Sequence, residues 1–277
     1  MTALGDMVRS ADRDRYASVL YAPDDRREAL FALYAFNIEI ARIRDIASDP
    51  MVGELRLQWW HDAVAGCTGT ETAGHPVADA LRSAIDEHRL PVAALTNMIE
   101  ARRFDLYDDA MPSRTDLEGY CGETAGALIQ LASLVLDSGA AMGHGGAAGH
   151  AGCAQAIAGL LSLLPIHRRR GQTYIPADLI AAAGADVADL RADTPGEPAM
   201  RAVAAMVALG REHFSAFLTH ARDIPASLRP AYLAAAAAGA RLDAIEQAGP
   251  AVFDQPVVLS PLRQNAIALR RALFGWR

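Results

Sequence analysis

Several sets of residues in this 277-residue chain have types and spacings that could do chemistry. Asp105 and Asp109 lie four apart with Asp108 beside them, and Asp45 and Asp49 repeat that spacing. Carboxylates four apart on a helix share one face. Hard divalent cations such as magnesium take oxygen ligands, so Asp45, Asp105 and Asp109 are candidates for a metal site. The plainer reading is ion pairing, with Arg102 and Arg103 or with Arg42 and Arg44, plus a solvated turn at Asp49-Pro50. His144, His150 and Cys153 are zinc-ligating types, but their spacing fits no common finger and they sit in a Gly/Ala-rich stretch. Glu39, Arg42 and Asp45, three apart, read as a ladder of alternating charge. Such a ladder offsets its burial cost only when its hydrogen bonds are complete.

Helices must hold these residues. Leu30, Leu33, Tyr34, Ile38, Ala41 and Asp45 recur at three- and four-residue steps along one helical face. Asp25 and Glu28 form a capping-box-like start for that helix. A polar break at Ser48-Asp49-Pro50 precedes a second helical stretch holding Trp59 and Trp60. Residues 66–74 read as a loop, 76–88 and 91–109 as helices, and Thr115 with Glu118 as a capping box opening a helix over 120–136. Residues 138–153 have the composition of a mobile Gly/Ala linker. Beyond it, helices are expected at 154–164, 199–222, 228–247 and 262–274. No repeat and no break divides the chain, which predicts one domain over 1–277.

Composition supports an all-α reading. Hydrophobic residues make up 52% and charged residues 21%, enough for a sizeable core. Alanine is abundant and Val-Ile-Thr runs are few, which favours helix over sheet. A net charge of -7 argues against nucleic acid as a partner. Cys67, Cys121 and Cys153 are widely spaced and odd in number, which fits a reducing compartment rather than a disulfide framework. Residues 1–15 carry both charge signs without an apolar core, so no secretory or transit signal is expected there. The apolar run 231–240 is far short of the roughly 20 residues a membrane span needs. A cytoplasmic protein, free or peripheral on the inner face of a membrane, is expected.

Four segments together resemble the squalene/phytoene synthase family: 29–36 (ALFALYAF), 56–60 (RLQWW), 120–126 (YCGETAG) and 169–176 (RRGQTYIP). Their order and spacing match over about residues 13 to 275. The resemblance implies an isoprenoid-synthase-like helical bundle around a central cavity. It also implies head-to-head condensation of two prenyl diphosphates held by magnesium between two aspartate-rich helices. Carried over residue by residue, the first motif's aspartates fall on Ala41, Arg42 and Asp45, and the second motif's on Leu163 and His167. One carboxylate of the set remains. Leucine cannot ligate a metal, and Arg42 brings positive charge where cations would sit. The run 35–41 followed by 56–60 is more similar to a side branch of the family that contains the mitochondrial complex I assembly factor.

The resemblance therefore implies a protein on a synthase scaffold with another job, as an accessory factor for a respiratory-complex subunit or a binder of a prenyl lipid. No cofactor is expected, with Mg2+ needed only if prenyl transfer persists. Arg168, Arg169, Arg170, Gln172 and Tyr174 lie where the synthases approach the diphosphates. They are candidates for an anion or lipid-headgroup contact, against the plainer reading of a cationic cap on a helix C-terminus. Tyr34, Ile38, Trp59, Tyr120, Ala125 and Gly126 are candidate cavity residues, where burial alone could hold a prenyl chain. His167 is a candidate pocket polar group, against the plainer reading of a partly buried, satisfied histidine.

Overall fold

The computed structural model describes residues 2–66 and 74–276, so most of the 66–74 loop, and Cys67 with it, lie outside the described residues. The chain runs α1 (Ala3–Ala11), α2 (Arg13–Val19), α3 (Asp24–Ala41), α4 (Pro50–Ala65), α5 (Pro76–His88), α6 (Val92–Ala101), α7 (Arg114–Cys121) and α8 (Ala127–Leu136). It continues through α9 (Gly145–Ser162), α10 (Leu164–Arg169), α11 (Glu197–His220), α12 (Ala238–Ala248) and α13 (Pro261–Phe274), with short helical turns between. Among the described residues there is no strand, only an isolated bridge between Ala110 and Thr173.

Helix α3 is the axis of one half. Residues from Ala29 to Asn37, and Ile40, are buried on every side, as expected of a helix apolar all round. It packs against α1, α5 and α8. Helix α9 plays the same part in the other half, packed on α11 and α12. Two apolar clusters follow, one around Leu33, Phe36, Leu57 and Leu95, the other around Ile157, Met206, Leu242 and Phe253. Phe214 packs against both and joins them.

The alanine and glycine stretch at 138–153 is not a linker. Residues 138–141 form a helical turn and Gly145 begins the long helix α9. The small residues permit a close crossing: a side chain on Gly152 would collide with the Gly126 backbone and meet the Ala125 carbonyl carbon at 2.8 Å. On the other strand of that crossing, residues 122–126 form one wide π-type turn between α7 and α8.

Other boundaries move for local reasons. Pro23 precedes α3 without a side-chain cap, so Asp25 and Glu28 form no capping box. Ser113, not Thr115, caps α7 by accepting from the Asp116 amide. The helix expected at 228–247 is broken into Arg229–Tyr232, a 3-10 turn at Leu233–Ala235, and α12. Those turns pack on α2, and that packing outweighs the helix propensity of the alanine run.

Candidate functional site

The two segments that the family resemblance singles out meet at one end of the bundle. Helix α3 stops at Ala41, with Arg42 as its C-cap, and the chain turns at Ile43–Ile46. Facing it, α9 stops at Ser162 and Leu163 forms the joint to α10. Asp45 and Ala41 therefore do not share a continuous helix. An ion pair closes the gap: Arg170 Nη1 lies 2.6 Å from Asp45 Oδ1. Arg42 turns back to Glu39 at 2.8 Å, and Arg44 reaches Asp108 at 3.1 Å. The expected ladder thus has its Glu39–Arg42 rung, but Asp45 crosses to Arg170 instead of joining Arg42.

Leu163 is 43% exposed and offers no donor atom. His167 is buried, its ring 4.8 Å from that of Tyr174. Burial pulls its imidazole down to about 4, against an opposing pull from Asp105. It is neutral at physiological pH. Its folded value lies below the ordinary 6.5, so the folded state resists protonation and loses stability as pH falls from about 6.5 towards 4. A loss of about 3 kcal/mol across that window is expected from this group. Urea titrations at neutral and acid pH should show it, and His167→Gln should flatten the acid slope by that amount.

Directly behind His167 lies a buried carboxylate with a complete shell. Asp105 sits on the 3-10 turn Arg102–Leu106 at the end of α6. Its oxygens accept from Tyr174 Oη at 2.6 Å, Tyr120 Oη at 2.9 Å and Arg102 Nη1 at 3.1 Å. Arg102 also donates to Tyr120 Oη at 2.6 Å. Gln172 Nε2 donates to the Asp105 backbone carbonyl at 2.9 Å. Burial pushes both tyrosine hydroxyls up, so they stay protonated and donate. Burial works against the Arg102 charge, but Tyr120 and Asp105 reverse the sign and keep it ionised. Three segments distant in sequence, the Arg102–Leu106 turn, α7 and residues 172–174, are tied at one residue. The only local signal was the three-residue spacing of Arg102 and Asp105.

The basic stretch divides into separate roles. Arg168 donates to the carbonyls of Leu190 at 2.7 Å and of Ala192 and Phe253 at 2.6 Å, with its guanidinium 5.3 Å from the Phe253 ring centre. It clamps the end of α10 to later turns, with all three guanidinium nitrogens donating to carbonyls. Arg169 is exposed, and Arg170 holds Asp45. Gln172 and Tyr174 belong to the Asp105 shell.

The candidate metal carboxylates do not converge. Asp49 caps α4 by accepting from the Val52 amide at 3.0 Å, Asp109 is exposed, and Asp45 and Asp105 are held as described. His144 bonds the carbonyls of Ala140 and Asp223, His150 faces His213 at 3.0 Å, and Cys153 faces the Glu118 carbonyl. No group of three such side chains is placed to hold a metal ion among the described residues.

Of the cavity candidates, Tyr120 lines a concavity of about 310 Å³ with Phe104, Met111 and Pro112, and with Glu100, Asp116 and Glu123. A second, of about 210 Å³, lies between α4 and α5, lined by Trp60, Val64, Leu81 and Ile85. Tyr34 is buried in the core beneath Arg15, Ile38 and Trp59 are half-buried against it, and Ala125 and Gly126 are taken up by the helix crossing. Trp60, the more buried of the two tryptophans, packs edge-on to Phe36 at 5.4 Å.

A family model described as squalene/phytoene synthase matches residues 8–263. A Rattus norvegicus relative, named NADH dehydrogenase (ubiquinone) complex I, assembly factor 6, is 30% identical over 232 residues, 82% of this chain and 68% of that protein. A Thermus thermophilus phytoene synthase is 28% identical over 209 residues, 72% of this chain and 68% of that protein. A crystal structure of a dehydrosqualene synthase in complex with ligand superposes with a TM-score of 0.81 at 17% identity, over 96% of this chain and 93% of that one. At such low identity the likeness is one of fold.

Proposed function

The chain belongs to the squalene/phytoene synthase family, and from that premise we propose that it does not transfer prenyl groups but assists the assembly of a membrane respiratory complex, complex I by analogy with its relatives. The observation that carries this reading is the Asp45–Arg170 ion pair at 2.6 Å. It joins the two segments where the family resemblance calls for a magnesium cluster. The last carboxylate of the set is paired with an arginine in a half-exposed ion pair, and its former partners are alanine, arginine, leucine and histidine. A diphosphate leaving group needs its charge offset by metal ions, and the residues present do not fit that group. Relatives named as complex I assembly factor 6 support the accessory role.

As a factor for a membrane complex it would work at the membrane surface; no helix among the described residues is long and apolar enough to cross a membrane. The concavity beside Tyr120 is where a prenyl or lipid tail would be held by burial of apolar surface.

Purified protein incubated with Mg2+ and farnesyl or geranylgeranyl diphosphate should release no diphosphate above a protein-free blank. Turnover that disappears in Asp45→Ala would establish the opposite reading, a head-to-head prenyl transferase, for which the phytoene synthase relative speaks. In the native host, deletion should lower assembled complex I on native gels, and both the wild-type chain and Asp45→Ala should restore it. Normal complex I in the deletion strain would sink the assembly role.

A further inference from the structure

Helix α13 has an outer face that the protein itself leaves uncovered. None of its residues is fully buried. Its inner side is held by Ile267 against the core and by Arg229 Nη1, which donates to the Ala272 carbonyl at 3.1 Å. The chain then closes with Trp276 edge-on to Phe217 at 4.6 Å. On the outer side Leu262, Ala266, Leu269 and Leu273 follow at four-, three- and four-residue steps and so form one stripe. Leu262 is 81%, Leu273 61% and the adjoining Phe274 72% exposed. Apolar side chains gathered in this way mark a surface that meets something else.

The charge says what. The chain as a whole is acidic, at -7, yet residues 255–276 contain no Asp or Glu and carry Arg263, Arg270 and Arg271. Arg263 and Arg270 are exposed beside the stripe. Arg271 is directed inward over Trp276, 5.3 Å from its ring centre. A helix with an apolar stripe bordered along one side by arginines and free of carboxylates complements an anionic lipid surface, in which the leucines enter the acyl boundary and the arginines meet phosphates. A protein groove would be served equally well by mixed charge.

We infer that the outer face of α13 is a docking surface for an anionic membrane, with Leu262, Leu269, Leu273 and Phe274 entering the interface and Arg263 and Arg270 contacting lipid phosphates. This gives the peripheral membrane part of the functional reading above a defined surface, and it rests on that part only.

The full chain should be floated with vesicles of phosphatidylcholine alone, and of phosphatidylcholine with an equal share of phosphatidylglycerol. Partitioning to the anionic vesicles should be on the order of 10-fold stronger and should weaken with added salt. Both L269E/L273E and R263E/R270E should lose at least about 10-fold in binding. All these side chains are exposed, so unchanged thermal melts will confirm that the variants fold. Anionic vesicles that bind neither wild type nor variants would overturn both this inference and the peripheral reading. Binding that both variants retain would overturn the inference alone. A stable dimer that L269E/L273E converts to monomer, with no vesicle binding in either form, would make the stripe a contact between copies and overturn the lipid assignment.

Discussion

Asp105→Asn should destabilise the protein by about 3 to 5 kcal/mol, the range for removing one partner of a buried ion pair. The carboxylate is the common acceptor of Tyr120, Tyr174 and Arg102. An asparagine has one carbonyl oxygen in place of two charged ones, and its amide would be turned towards an arginine. The guanidinium would remain charged and buried without a counter-charge, which is the costly arrangement. Chemical denaturation of Asp105→Asn measures the loss. Pairing it with Arg102→Met should recover a substantial part, since the stranded charge is then gone. A loss below about 1 kcal/mol would mean that the network contributes no more than surface pairs do.

Gly152→Ala should be nearly as damaging, through sterics alone. The added methyl would overlap the Gly126 amide nitrogen and Cα, and backbone cannot swing aside as the end of a side chain can. Helices α8 and α9 must separate, at a cost of about 3 kcal/mol or more. Gly149, on the same helix, has nothing within 4 Å of an added methyl. Gly149→Ala should therefore be neutral or stabilising by up to about 1 kcal/mol, because alanine is the better helix former. Thermal melts of the two variants side by side test the crossing directly, and equal effects would disprove it.

The sequence revealed helices where apolar periodicity was strong and local. The span of α5 was read to the residue, and those of α11 and α13 nearly so. The order of four short motifs carried the family, because each motif is contiguous in the chain. Features that depend on distant partners were not legible. Residues 138–153 have the composition of a linker and the geometry of a helix crossing; the difference is Gly126, which lies far away in sequence. Asp105 and Asp109 pair in the sequence because both are acidic and four apart. For Asp105 the plainer reading, ion pairing with Arg102, holds, but its other two partners, Tyr120 and Tyr174, are 15 and 69 residues away. Arg168 looked like an anion contact because its neighbours are basic, and nothing local shows that three carbonyls surround it. At Asp45 a carboxylate was expected to join Arg42, whereas the chain bend after Ala41 turns it to Arg170.

The wide turn at 122–126 puts the numbering of this region out of phase with its geometry. A π turn holds one residue more than an α turn, and each residue of a regular helix advances by about 100°. Everything after the turn is rotated by about that angle relative to an unbroken helix. Tyr120 can therefore aim at Asp105 while Leu128, Leu131 and Val135 still aim into the interior. Excising a single residue, such as Thr124, would bring the two halves into phase and force one of those orientations to be given up. Alignments that run through this stretch without a gap will match residues about 100° apart around the rod whenever a relative lacks the bulge.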